Sequence, residues 1–62
     1  MRKEIFQVNF RTKEPSLMID KSNILEIVEN VDYLLIVTKD HLLNYMIPYD
    51  IISSYATISK GS

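Results

Sequence analysis

Nine isoleucines, four valines and three threonines stand against a single alanine in this 62-residue chain, and that imbalance limits its fold more than any motif does. Branching at Cβ removes rotamer freedom in a helical turn but suits a pleated strand, so a mainly extended backbone is expected. Length sets the second limit. A chain of this size makes one small domain, residues 1–62, with little core to offset its ordering entropy, and without cysteine it has no disulfide to help. Lys60, Gly61 and Ser62 read as a disordered tail.

The pattern along the chain agrees with this bias. From Glu4 to Arg11 the residues alternate, with Phe6, Val8 and Phe10 on one face and Gln7, Asn9 and Arg11 on the other, as in a half-buried strand. Residues 12–16 are polar, and Pro15 lacks an amide donor, so a loop follows. Leu17, Met18 and Ile19 form a short apolar piece. Residues 23–30 admit two readings. Apolar residues at 24, 25, 27, 28 and 31 fit a short helical face opened by Asn23 and Glu26, but four of those five are β-branched, which favours a strand.

Tyr33, Leu34, Leu35, Ile36 and Val37 are apolar on both faces, which predicts a central strand. Lys39, Asp40 and His41 supply a turn, and Leu42 to Ile47 return as the second strand of a hairpin. Pro48 marks a strand end, bulge or edge, residues 49–52 a one-turn connection, and residues 53–59 a last strand. The fold class expected is a small mainly-β domain of five strands, a meander or a partly closed Sm/SH3-like barrel, with a short helix near 23–30 as the variant.

The order of residues 30–57, Asn-Val-Asp-Tyr-Leu-Leu-Ile-Val-Thr, a polar turn, an apolar strand ending in Ile47-Pro48, then Tyr49 to Tyr55, resembles the back half of Sm-like small β-barrels. The resemblance implies an aspartate-containing turn feeding the third strand, a hairpin to the fourth, and a short turn joining the fourth to the fifth. Two positions depart from it. No glycine lies between Leu17 and Asn30, where the second strand would bend, and Tyr49 and Asp50 occupy the turn that carries a basic residue or histidine in RNA-binding members. Asp50 would repel phosphate.

Composition excludes much chemistry. A net charge of −1 gives no general attraction to polyanions or acidic membranes. Arg2 and Lys3 have the charge of a signal-peptide start, but polar residues from Glu4 to Arg11 interrupt the apolar stretch that should follow. No apolar run approaches the roughly 20 residues of a membrane helix. A soluble, cytoplasmic protein is expected. His41 is the lone histidine and reads as a turn residue, so no metal is expected. Ser53 and Ser54 lack a glycine-flanked elbow, the one glycine is Gly61, and Glu26, Glu29 and Asp32 read as a solvated edge. Catalysis and cofactors are therefore not expected.

Binding remains, and the aromatics are its candidates. Alternation assigns Phe6, Phe10 and Tyr33 to the core, while Tyr49, beside Pro48 in a turn, should face outward with Tyr45 and Tyr55 as further contact residues. Arg2, Lys3, Arg11 and Lys13 gather near the ends of the first strand, where Arg11 and Lys13 could meet phosphates or simply form a solvated rim. The function expected is a non-enzymatic protein-binding or regulatory module, such as a phage or mobile-element product docking on a host protein. The alternative is an Sm-like oligomer that binds RNA. In either case the two-faced strand at 33–37 argues for self-association through strand edges.

Overall fold

A computed structural model describes residues 3–40 and 44–60. It contains six strands: β1 (Lys3–Phe10), β2 (Leu17–Asp20), β3 (Ile24–Glu29), β4 (Tyr33–Thr38), β5 (Asn44–Pro48) and β6 (Ile52–Lys60). They form two three-stranded antiparallel sheets, ordered β2-β1-β6 and β3-β4-β5. The chain crosses between sheets twice, each time through a three-residue 3₁₀ turn, Lys21–Asn23 and Tyr49–Ile51.

The first strand follows its alternation. Phe6 and Val8 are buried and Phe10 packs half-buried against the same core, while Asn9 turns to the outer face. There Asn9 Oδ1 accepts from Gln7 Nε2 (2.8 Å) and Ser16 Oγ (2.6 Å), and its Nδ2 donates to Ser54 Oγ (3.0 Å). This ties the returning loop to the sheet's third strand. A bulge between Asn9 and Phe10 shifts the register with β6 and brings Phe10 opposite Ile52.

The core lies between the sheets and draws on both: Phe6, Val8, Ile19 and Ile52 from one, Leu34, Ile36 and Ile47 from the other. β4 is the central strand expected, with Leu34, Ile36 and Thr38 inward and Tyr33, Leu35 and Val37 on the outer face. Buried Thr38 satisfies its hydroxyl by donating to the carbonyl of Asp40 at 2.9 Å. Val28 and Met46 flank Leu35 in register, so the outer face of this sheet also carries an apolar row.

Of the two readings of residues 23–30 the favoured one holds, and the strand count differs from the five expected. Residues 24–29 are a strand, not a helix, as their branched side chains favoured. There are six strands rather than five, because the Lys21–Asn23 turn separates β2 from β3. Asp20 caps that turn, its Oδ1 accepting from Ser22 N (3.1 Å) and Ser22 Oγ (2.9 Å), so a polar cap breaks the strand where no glycine was available. Among the described residues the strands pair as two three-stranded antiparallel sheets, with no closed barrel. Leu42, Leu43 and the expected turn residue His41 lie outside the described residues, as do Gly61 and Ser62 of the expected tail, while Lys60 ends β6. Among the described residues no helix is long and apolar enough to cross a membrane.

The molecule is thin for its length. Its Cα radius of gyration is 11.8 Å, against about 10.6 Å for a compact chain of this size. Its accessible surface is 4711 Å², against about 4,200 Å² for a compact monomer of this mass.

Candidate functional site

The second 3₁₀ turn forms one wall of a concave surface. Pro48 ends β5 at the edge of its sheet, where a missing amide donor costs no ladder bond, and its fixed φ leads into the turn. The turn is held from both sides. Tyr49 N donates to the carbonyl of Asp32 (3.2 Å), and Arg11 N donates to that of Ile51 (2.9 Å). Arg11 Nε adds a bond to the carbonyl of Ile52 (3.2 Å). The facing loop is closed by Asn30 N donating to Tyr33 O at 3.0 Å.

Between turn and loop lies an open groove of about 440 Å³ lined by Val31, Asp32, Tyr33, Met46, Pro48, Tyr49 and Asp50. Of these seven residues Val31, Met46 and Pro48 are apolar, Tyr33 and Tyr49 carry phenols, and Asp32 and Asp50 carry carboxylates. Val31 is 93% exposed and Met46 64%, so large apolar side chains stand in water on its rim.

Tyr49 lines this groove but is half-buried and packs partly against the core, so it faces outward less fully than its turn position suggested. Tyr33, expected in the core, is on the outer face instead and shares the groove. Both faces of β4 are apolar, so alternation could not tell which one the core would take. Tyr55 lies behind the turn. Its hydroxyl donates to Glu29 Oε2 at 2.5 Å, and its ring meets Phe6 with centroids 5.9 Å apart at 54°. The Glu29 bond is the main reason the phenol is pushed up to about 12, and the nearby Tyr49 hydroxyl adds to it.

Tyr45 is separate. It lines a second open hollow, about 260 Å³, with Ile19, Asn23, Thr38 and Asp40, toward the other end of β5. Arg11 is brought to the Tyr49 turn, whereas exposed Lys13 lies two residues further along the loop and does not line the groove. Sequence reasoning missed Val31, Asp32 and Met46. A bare valine between Asn30 and Asp32 in a polar turn was the available signal. Glu26 and Glu29 point to opposite faces, as a strand requires, and Glu29 is taken up by Tyr55. Among the described residues, no group of three or more His, Cys, Asp or Glu is placed to hold a metal ion. In comparisons with known proteins, the chain matches no family model, no curated sequence and no solved structure.

Proposed function

We propose that this protein is a small non-enzymatic protein-binding module that engages its partner through the groove around Tyr49. The observation carrying this reading is the groove itself: two tyrosines, a proline and two exposed aliphatic side chains converge at one surface, the composition of an interface hot spot. The excess surface of the lone chain supports the same conclusion, since a thin two-sheet body leaves apolar area that a partner or second copy would cover. In this reading β2 and β3 are one strand bent at the Asp20-capped turn. The order then becomes β6-β1-β2/β3-β4-β5, a five-stranded, partly closed barrel of Sm/SH3-like kind, with its one-turn connection where the Sm-like pattern has one. The free edges of β5 and β6 give such modules a route to self-association.

A second reading, an RNA-binding oligomer, is favoured by one feature: Arg11 is hydrogen-bonded to the turn that carries Tyr49. Against it, Asp32 and Asp50 line the groove and would repel phosphate. A photoreactive benzoylphenylalanine at position 46 tests the choice in cells, because Met46 lines the groove and is exposed. A discrete protein adduct that is lost on adding Tyr49→Ala supports the module. An RNA adduct moves the assignment to the second reading, and an adduct indifferent to Tyr49→Ala removes the groove from it.

A further inference from the structure

Resting on the groove reading, we infer the chemistry of its occupant: a peptide segment of the partner in which a lysine or arginine stands beside an aliphatic side chain. The groove offers apolar surface from Val31, Tyr33, Met46 and Pro48, and its only charges are the carboxylates of Asp32 and Asp50. These sit on two different segments, the loop before β4 and the 3₁₀ turn, which the Tyr49 N to Asp32 O bond holds together. Among the described residues no lysine or arginine lines the groove. The lining is thus acidic although the whole chain carries a net charge of only −1, and Arg11, which is bonded to the turn, is not part of that lining.

A cationic head satisfies these features together. It can pair with a carboxylate and lie against a tyrosine face, while its own methylene stem and an adjacent aliphatic residue cover Met46 and Val31. A free cation would leave the apolar rim uncovered. An acidic or phosphate-bearing ligand would face both carboxylates. The groove is open rather than enclosed, so it suits a few side chains of an extended segment and not a buried small molecule.

The test is selection of a random seven-residue displayed peptide library on the immobilised full chain, with each enriched peptide then measured against three variants. These are Tyr49→Ala, Asp32→Asn and Asp50→Asn, each confirmed folded by its amide NMR spectrum. Asp32→Asn keeps the backbone carbonyl that accepts from Tyr49. Enrichment of Lys or Arg next to Leu, Ile, Val or Met is expected. Affinity should fall by up to about fivefold on Asp32→Asn or Asp50→Asn, as for an exposed charge pair, and rising salt should weaken it. Purely apolar peptides that lose affinity on Tyr49→Ala but ignore both Asn variants would overturn the cationic occupant and leave the groove reading standing. Acidic peptides, peptides indifferent to Tyr49→Ala, or no enrichment at all would overturn both.

Discussion

Tyr55 on β6 donates its hydroxyl to Glu29 on β3 at 2.5 Å, a side-chain bond that spans the two sheets. Between those residues the chain runs through β4, β5 and the second turn, so the bond closes a long loop at the surface. Tyr55→Phe removes it while leaving the ring against Phe6. The expected loss is about 0.5–1 kcal/mol, at the low end for hydrogen bonds because water competes at this site. In a chain of this length that lowers Tm by about 2–8 °C. An unchanged Tm by calorimetry would mean that water replaces the bond at no cost.

The same contact sets an alkaline limit. The Tyr55 phenol is raised to about 12 from an ordinary 10.0, first by its bond to Glu29 and then by desolvation. A raised folded-state pKa makes the folded chain hold its proton longer than the unfolded one. The stabilisation is complete below pH 10 and drains away as pH rises towards 12. Ultraviolet titration should show Tyr55 ionising late, and Glu29→Gln should return it towards the ordinary range.

Asp20 should behave in the opposite sense. Its carboxyl is held below its ordinary value chiefly by the Ser22 backbone amide and then by the Ser22 hydroxyl, with Lys3, 3.5 Å away, contributing less. What it adds to stability is present above about pH 4 and is lost as pH falls through the depressed folded value. A carbon-detected NMR titration should place Asp20 low in the native chain. Lys3→Gln should leave most of that depression in place, and a return to the ordinary value in that variant would make the lysine the cause.

Adjacent leucines on β4 offer a check on which face is inside. Leu34 is fully buried and Leu35 is half-buried on the outer face. Leu34→Ala should cost about 2–5 kcal/mol, enough to unfold much of so small a domain. Leu35→Ala should cost about 1 kcal/mol, in proportion to the smaller area it covers. Urea unfolding curves that rank the two in reverse would invert the sheet.

Where a strand had one apolar and one polar face, as at Phe6, Gln7, Val8 and Asn9, its existence and orientation were legible from the sequence. The hairpin, the Pro48 turn and the last strand were legible because proline and polar residues punctuate them. Tyr33 was misplaced because a strand apolar on both faces carries no sign of which face is inside. The polar run before Ile24 set the piece at 17–19 apart from the segment at 23–30, but such a run does not say whether a strand ends or only turns a corner, which here depends on the cap by Asp20. The Tyr55–Glu29 contact joins residues 26 positions apart, a separation that no local pattern encodes. The groove was half visible: Tyr49 and Pro48 were candidates, while Val31, Asp32 and Met46 are gathered only by the fold.

The pairing of β1 with β6, which sets Lys3 opposite Lys60, gives synthesis on the ribosome a fixed order. β1 waits for a neighbour that is translated last among the six strands, while β3, β4 and β5 can zip together from contacts close in sequence. Until β6 emerges, the nascent chain lacks Ile52, one of the four core residues that the first sheet sets against Leu34, Ile36 and Ile47. β1 is thus left with one open edge until the last strand arrives, and slow translation of that strand would lengthen the exposure.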